Sequence, residues 1–416
     1  MKVLWITNIL FPEATSILNG DKDFKASGGW MLGSANQLIC RDNIELYVAT
    51  VSPLVKELKR IEGANIVYYI IPQMRVKRNA YHRFWQKINN DICPDIVHIH
   101  GTESYFSFAY MEACGFSNVV ISIQGLTSSC AHYYHYGMDR KDIFRHLTIR
   151  DFIKGTVLKG KRTFLRNAKY EVKMIEMASH IIGRTSWDRA KVWAINPNAE
   201  YHFCNEILRP EFYDRSLWTY DKCIPHSIFI SQANHPIKGF HLLLKALPLI
   251  LRNYPDTVVK VAGHSPTDTS SFYKRIKLSG YGRFLKSLIS KYALEKHIFF
   301  LGPLTAQQMK NEYLSSNVFV SSSSIENSPN SLGEAQILGV PCLSSYVGGT
   351  MDMMEGNDEN LYRFEEIEML AFKVCRIFDN KDKQINLSEK AQIRHDPKQN
   401  DEKLYNIYKR IIGREL

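Results

Sequence analysis

Short runs of aliphatic and β-branched residues recur along the chain and alternate with stretches of helical periodicity. These runs fall at residues 3–7, 45–50, 66–71, 96–100, 119–123 and 180–183, and then at 226–231, 258–263, 298–302, 318–320 and 341–345. Strands interleaved with helices are typical of mostly parallel, doubly wound sheets. The sequence therefore predicts an α/β fold.

Length predicts two domains of this kind, because 416 residues are long for one domain. Hydrophobic residues make up 45% of the chain, enough to form full cores. We expect an amino-terminal Rossmann-like domain over residues 1–213, a carboxy-terminal Rossmann-like domain over 224–395, and a final helix over 396–416. Residues 201–213 would begin the connection between the two domains.

Residues 317–350 combine a predicted strand, a polar loop, a helix and a second strand. The loop carries Glu326, and the first helical turn carries Glu334. Two carboxylates at this edge suit a polyhydroxylated partner, because a carboxylate accepts charge-assisted hydrogen bonds from neighbouring hydroxyls, as on a ribose. Backbone amides at the helix start suit a phosphate. These amides belong to Asn330, Ser331 and Leu332. The alternative is that Ser331 and Glu334 form a capping box and Glu326 is a solvated loop acid.

Composition narrows the classes of partner. The chain carries 53 basic and 42 acidic residues, a net charge of +11, which favours an anionic partner such as a nucleotide, a phospholipid surface or a nucleic acid. No nucleic-acid-binding motif is recognisable, so no nucleic acid is expected. The eight cysteines are scattered, without Cys-x-x-Cys pairs or histidines at zinc-site spacing, which predicts reduced thiols in a cytoplasmic protein.

Any membrane contact is expected to be peripheral, because no apolar run is long enough for a spanning helix and the first one is too short for a signal peptide. Residues 140–173 contain eleven Lys or Arg side chains interleaved with apolar ones, and residues 75–87 form a smaller basic and aromatic patch. A basic amphipathic stretch can lie on an anionic bilayer. The alternative is that both are solvated helix faces packed on the sheet.

Three features of the amino-terminal half are candidate ligand contacts. Gly28 and Gly29 precede a helix, where backbone amides can approach a phosphate, although such a pair is more often a plain turn. His98 and His100 share one strand face, and each is more often a hydrogen-bonded core histidine than a catalyst, with His100 the better candidate. Gln124 follows the next strand and can hydrogen-bond a hydroxyl, but it cannot serve as a general base near neutral pH.

In the carboxy-terminal half, Gln232 follows a predicted strand and Lys238 precedes an amphipathic helix. A lysine placed before a helix and beside two glutamates suits a phosphate, and the alternative is a solvated lysine. Gly263 and His264 lie at the end of the next predicted strand.

Together these motifs resemble the retaining GT-B glycosyltransferases of family four. The family pattern is a Glu-x7-Glu segment after a strand, a helix with small residues, Gly-x-Pro and a Gly-Gly loop, and it is matched by Glu326, Glu334, Ala335, Gly339, Pro341, Gly348 and Gly349. Residues 94–101, Pro-Asp-Ile-Val-His-Ile-His-Gly, and the Lys238-Gly239 pair match two further segments of the family. The resemblance extends over nearly the whole chain.

The resemblance implies two Rossmann-like domains that face each other across a cleft, with the final helix crossing back to the first domain. The first domain would bind the acceptor and the second the nucleotide-sugar donor. The implied donor-binding residues are Gly28, Gly29, Gln232, Lys238, Gly263, His264, Asn330, Ser331, Leu332 and Glu334. The implied catalytic residues are Glu326, Lys238, His100 and Gln124. Lys238 would neutralise the diphosphate, Glu334 would hold the ribose and Glu326 the sugar.

Two positions depart from the family pattern. Gln124 stands where many relatives have His, which puts a histidine-based mechanism in doubt. The loop that carries Gln232 and Lys238 lacks the family's arginine. Candidates to replace that arginine are Lys25, Arg184 and Arg209. Arg184 either faces the cleft or pairs with Asp188 on the surface. Thr185 is expected to cap the helix that follows it.

The expected function is that of a metal-independent and cofactor-free hexosyltransferase that retains anomeric configuration. It would move a sugar from a nucleotide-sugar donor to a glycan or polyprenyl-diphosphate-linked acceptor in bacterial surface polysaccharide synthesis, at the anionic inner face of the cell membrane. The alternative is a catalytically weak GT-B subunit that binds nucleotide or lipid and scaffolds polysaccharide assembly. The missing arginine and the glutamine at position 124 support that alternative.

Overall fold

The computed structural model describes residues 1–20, 29–74, 79–380 and 385–413. The protein divides into two compact units. Unit 1 comprises Met1–Ser128, Arg166–Arg209 and His395–Leu416, and unit 2 comprises Ser129–Leu165 and Pro210–Arg394.

Unit 1 is built on an eight-stranded sheet. Its strands are β1 (Lys2–Thr7), β2 (Glu45–Ser52), β3 (Lys59–Glu62), β4 (Ile66–Pro72), β5 (Ile96–His100), β6 (Val119–Ser122), β7 (His180–Gly183) and β8 (Glu200–Phe203). They lie in the order β3-β4-β2-β1-β5-β6-β7-β8, and every neighbouring pair is parallel except β3 with β4. Strand β1 is buried from Val3 to Ile6, as expected for a parallel sheet that is covered on both faces.

Unit 2 is built on a six-stranded sheet in which all the strands are parallel. Its strands are β9 (Ile224–Ile230), β10 (Val258–Val261), β11 (Ile298–Phe300), β12 (Ser316–Ser321), β13 (Cys342–Ser345) and β14 (Leu361–Tyr362). They lie in the order β11-β10-β9-β12-β13-β14. Two mostly parallel sheets, each with its own core, confirm the predicted α/β fold with two doubly wound domains.

The α-helices are numbered along the chain. They are α1 (Pro12–Asn19), α2 (Gly29–Leu38), α3 (His82–Ile92), α4 (Tyr105–Cys114), α5 (Thr127–Tyr133), α6 (Arg140–Arg145), α7 (Ile149–Lys154), α8 (Val157–Met177), α9 (Ser186–Ile195), α10 (Phe240–Leu251), α11 (Phe272–Lys277), α12 (Gly280–Lys291), α13 (Ala306–Ser315), α14 (Asn330–Ile337), α15 (Thr350–Met353), α16 (Ile367–Asp379), α17 (Ile385–Arg394) and α18 (Pro397–Ile412).

The last helix, α18, belongs to the core of unit 1. Trp5 Nε1 donates to the hydroxyl of Tyr408 at 3.0 Å, and that hydroxyl lies 2.6 Å from Nδ1 of His98. The apolar residues that α18 adds to this core are Leu404, Ile407, Tyr408 and Ile411.

One segment groups differently from the sequence-based division at residue 213. Residues 129–165 belong to unit 2, because Met138 and Ile143 join its hydrophobic core. His241 Nε2 lies 2.7 Å from the carbonyl oxygen of Tyr136, in the same unit. The pattern of residues 129–165 shows amphipathic helices but carries no information about which sheet those helices cover.

Three short strands were not predicted, namely β3, β8 and β14. Strand β8 begins just before the stretch predicted to connect the domains, so residues 201–203 belong to a sheet instead. Each missed strand is two to four residues long, too short for the alternation of apolar and polar residues to be recognised.

Candidate active site

In unit 2, three of the segments singled out in the sequence meet at one edge of the sheet. Strand β12 lies between β9 and β13. Lys238 follows β9, Glu326 follows β12 and Gly348 follows β13. Because the carboxyl ends of parallel strands lie at the same edge, this topology places the three loops side by side.

Lys238 and Glu326 form an ion pair at this edge. Lys238 Nζ lies 2.6 Å from Glu326 Oε1, and Ser323 Oγ donates to the same oxygen at 2.7 Å. The Lys238 and Glu326 side chains are 28% and 13% exposed, so the pair is partly shielded from water yet still accessible. A partly desolvated pair interacts more strongly than a fully exposed one. It places a cation, which can bind an anionic group, beside a carboxylate, which can accept hydrogen bonds from hydroxyls.

Two glycines hold these loops at close range. Gly239 has a φ of +67°, and a Cβ there would overlap the carbonyl oxygen of Ser322. Gly348 has a φ of +52°, and a Cβ there would overlap the carbonyl oxygen of Glu326. The amide of Gly349 donates to that same carbonyl at 3.2 Å. Any side chain at Gly239 or Gly348 would push the loops apart.

Glu334 lies in α14 and is buried, with 5% of its surface exposed. Helix α14 begins at Asn330 after Pro329, so Ser331 is its second residue and not its cap. The capping box considered for Ser331 and Glu334 is therefore wrong. The amide of Leu332, predicted to be open for a phosphate, donates to the carbonyl oxygen of Pro329 at 2.9 Å in this structure.

The other predicted donor residues are divided between the two units. Gln232 and His264 are exposed after β9 and β10. Gly263 has a φ of +91°, and its amide donates to Gly302 at 2.8 Å. In unit 1, Gly29 begins α2. Gly28 and Lys25 lie outside the described residues.

In unit 1, His98 is a hydrogen-bonded core residue. Its Nε2 lies 2.6 Å from Ser122 Oγ, and its Nδ1 contacts the Tyr408 hydroxyl. Burial, together with the neighbouring His100, holds the pKa of His98 well below its usual range. His98 thus stays neutral and acts in packing.

His100 is in a different position, because its Nε2 has no hydrogen-bond partner among the described residues. It lines a cavity of about 40 Å³, and its ring stacks 3.8 Å from that of His98. Burial, with a smaller effect from Arg184, lowers the pKa of His100 to about 3. Such a histidine is a weak general base, although it can still hydrogen-bond a hydroxyl.

Arg184 lines the same cavity but is already paired. Its guanidinium lies 2.9 Å from Glu206 and donates to the carbonyl oxygens of Ile123 and Gln124 at 2.7 and 3.1 Å. Asp188 accepts the backbone amide of Arg184 and takes part in the capping box of α9. The ion pair with Glu206 replaces the expected surface pair of Arg184 with Asp188, whereas Thr185 caps α9 as predicted.

Two further glutamates of unit 1, which no sequence motif marks, lie close to each other. Burial, reinforced by the nearby carboxylate of Glu171, raises the pKa of Glu103 to about 7, where a carboxyl can accept and donate a proton near neutral pH. Glu171 is fully buried and accepts hydrogen bonds from Thr102, Thr127 and Ser128. Glu103 could have been found from its position just after β5, but nothing near Glu171 in the sequence marks its role.

Comparison with known proteins identifies the carboxy-terminal part. The family described as "Glycosyl transferases group 1" matches residues 225–394. Spore coat protein SA of Bacillus subtilis (strain 168) is 27% identical over 157 residues, which are 37% of this chain and 39% of that protein. The chain thus matches about two-fifths of the length of this curated relative.

Solved structures match over nearly the full length. Sucrose-phosphate synthase from Thermosynechococcus elongatus has a TM-score of 0.63 and 14% identity, covering 100% of this chain and 97% of its own. The E. coli trehalose-6-phosphate structure bound with UDP-2-fluoro glucose has a TM-score of 0.61 and 11% identity, covering 98% and 99%. At identities this low, the similarity shows a shared fold and nothing more. Residues 225–394 are therefore similar to the glycosyl transferases group 1 family, and the chain has the GT-B fold.

Proposed function

We propose that this protein transfers a sugar, with retention of anomeric configuration, from a nucleotide-sugar to a glycan acceptor carried on a polyprenyl diphosphate or another membrane lipid. The observation that carries the proposal is the contact between Lys238 Nζ and Glu326 Oε1, 2.6 Å apart, within the group 1 domain. The UDP-sugar in the E. coli structure of the same fold supports a nucleotide-sugar as the donor class.

In this mechanism, donor binding replaces the ion pair. Lys238 turns to the diphosphate and stabilises the negative charge that develops as the bond from the sugar to phosphate breaks. Glu326 accepts hydrogen bonds from sugar hydroxyls, and Glu334 from the ribose. The acceptor hydroxyl attacks the anomeric carbon on the face from which the diphosphate leaves, and its proton passes to a phosphate oxygen. The leaving group thus acts as the base, consistent with Gln124 and the weakly basic His100.

A nucleotide-binding experiment tests the donor side. UDP, GDP, ADP and CDP are compared by thermal shift on the wild type and on Lys238→Ala. Lys260→Ala is a matched control, because Lys260 Nζ forms a similar partly buried pair with Glu312 at 2.9 Å. A nucleotide at a hundred times its dissociation constant should stabilise the wild type and the control by about 2.7 kcal/mol. Lys238→Ala should respond more weakly.

With donor and acceptor identified, Lys238→Ala should lower kcat by about 100-fold or more, as for loss of a group that stabilises leaving charge. Turnover at the wild-type rate would remove Lys238 from the mechanism. If no nucleotide stabilises the wild type, the alternative of a catalytically weak GT-B subunit in a polysaccharide assembly complex takes precedence. The pairing of Arg184 with Glu206 supports that alternative, because it engages one of the candidates to replace the missing diphosphate-binding arginine.

The proposed membrane location is supported by a surface of unit 2. Within the described ranges, no helix has the length and apolar character needed to span a bilayer. Helices α6, α7 and α11 instead expose large apolar side chains, and α7 contacts α11. These side chains are Phe144, Ile149, Phe152, Ile153, Phe272 and Tyr273, with exposures of 59%, 65%, 80%, 74%, 79% and 64%. We call this the α6–α7–α11 surface.

Basic residues lie on the same three helices. The exposed ones are Arg140, Lys141, Arg145, Lys154, Lys274, Arg275 and Lys277. Exposed apolar side chains surrounded by cations fit an anionic bilayer, because the apolar groups enter the headgroup region while the cations contact lipid phosphates. The charge of this surface therefore supports peripheral binding at the inner face of the cell membrane.

A further inference from the structure

A second cluster of chemically active side chains lies at the other end of the unit 1 sheet. His180 is the first residue of β7, and Glu200 and His202 belong to β8. The strands are parallel, with His180 paired to Glu200 and Ile182 paired to His202. Paired residues and residues two apart in a strand share a face, so the register brings the three side chains together. His100 and Gln124 lie instead at the carboxyl ends of their strands.

The three side chains converge on one point. His180 Nδ1 lies 3.1 Å from His202 Nε2 and 3.7 Å from Glu200 Oε2. One ligand atom from each residue lies within 4.8 Å of the others. In a tetrahedral zinc site with bonds near 2.1 Å, donor atoms are about 3.4 Å apart. The two separations from His180 Nδ1, 3.1 and 3.7 Å, lie on either side of that value.

We propose that His180, Glu200 and His202 bind one Zn²⁺ or a similar divalent transition-metal ion. Two imidazoles and one carboxylate suit zinc and its neighbours, whereas magnesium and calcium prefer oxygen ligands alone. The histidines are 6% and 8% exposed, and Glu200 keeps 23% of its side chain exposed, which provides an entry path and room for a water ligand.

The surroundings indicate a structural role for this metal. Strand β8 is the last strand of its sheet and, among the described residues, pairs with β7 alone. Arg410 Nη2 of α18 lies 2.7 Å from Glu200 Oε1, which orients the carboxylate and leaves Oε2 directed towards His180. A bound ion would thus tie β8 to β7 and, through Glu200 and Arg410, to α18. The three ligands come from two strands, and this explains why the sequence shows no zinc-site spacing.

Metal titration tests the proposal independently of any glycosyltransferase activity. The full-length protein is stripped with EDTA and titrated with ZnCl₂ in competition with a chromophoric chelator. We expect uptake of one ion per chain and a higher Tm. His180→Gln and His202→Gln should abolish both effects. His82→Gln should retain them, because His82 contacts a single carboxylate, that of Glu112, at 3.4 Å.

CoCl₂ provides a second readout that needs no variant. Cobalt held by nitrogen and oxygen ligands gives weak visible bands, whereas cobalt bound to any of the eight cysteines adds an intense thiolate charge-transfer band. The visible bands without the charge-transfer band are expected in the wild type. Thiolate charge transfer, no uptake of metal, or equal uptake by His202→Gln and the wild type would overturn the proposal.

Discussion

His241 shows how burial of a single residue makes stability depend on pH. It is fully buried in α10, with Nε2 donating to the carbonyl oxygen of Tyr136 at 2.7 Å and Nδ1 lying 3.2 Å from the Tyr281 hydroxyl. Burial lowers the pKa of His241 to about 4, with the Tyr136 carbonyl opposing the shift and the Lys245 cation adding to it. The neutral imidazole is therefore part of the native packing of unit 2.

The sign of the pH effect follows from that lowered pKa. Between about pH 6.5, the pKa of an unfolded histidine, and the native pKa of about 4, the unfolded chain binds the extra proton, so stability falls as the pH falls. Glu103 acts in the opposite direction, because its pKa is raised to about 7. A comparison of the wild type with His241→Gln isolates the contribution of His241 to the pH dependence of stability from those of Glu103 and the other groups.

We predict that His241→Gln weakens the acid dependence of unfolding. Between about pH 6.5 and the native pKa of about 4, the difference in unfolding free energy between the wild type and the variant should change by about 1.4 kcal/mol per pH unit. Urea denaturation at several pH values measures it, with His132→Gln, an exposed histidine of α5, as the matched control. Parallel pH profiles for the wild type and His241→Gln would show that the imidazole does not contribute.

At the scale of elements, the start of α5 depends on a carboxylate from α8. Glu171 accepts from the amide of Thr127 at 2.6 Å, from the amide of Ser128 at 3.0 Å, and from the hydroxyls of both residues. The hydroxyl of Thr102 donates to it as well, at 3.0 Å. One side chain thus satisfies the first turn of α5 and fixes the loop that carries Gln124.

Glu171→Ala should destabilise the protein by about 3 kcal/mol or more, because several buried donors lose their charged acceptor together. Glu171→Gln should cost less, since the amide keeps one acceptor oxygen but sets its NH₂ group against other donors. Glu176→Ala, an exposed glutamate of the same helix, is the control and should stay within about 0.5 kcal/mol of the wild type. Urea midpoints that coincide for all four proteins would contradict this account.

These elements also show which parts of the structure the sequence predicts. The strands and the loops of Lys238 and Glu326 follow from local patterns, because each central parallel strand is a buried run that ends at the ligand edge. The Glu171 cluster and the ion pair of Arg184 with Glu206 join residues far apart in the chain, and no local pattern reports such contacts. The cap at Thr185 could be predicted, because Thr-x-x-Asp is a local helix-start pattern and Asp188 supplies its aspartate.

At the scale of the whole molecule, the net charge of +11 has the same sign as the basic residues on the helices of the α6–α7–α11 surface. Each basic side chain near an anionic bilayer contributes about 1 kcal/mol, and this attraction weakens as salt screens it. Apolar insertion depends little on salt. The two contributions can therefore be separated by lipid charge, by salt and by substitution of the most exposed apolar residues.

We predict that the protein sediments with vesicles containing phosphatidylglycerol and much less with vesicles of phosphatidylcholine alone, and that added salt releases part of it. The double variant Phe152→Glu, Ile153→Glu should lose most of this binding, because it places two carboxylates where 80% and 74% exposed apolar groups would enter the headgroup region. Phe372→Glu, at a 58% exposed position of α16, is the matched control and should bind like the wild type. Equal sedimentation of the double variant and the wild type would show that this surface does not contact the membrane. Equal binding to anionic and neutral vesicles would show the same.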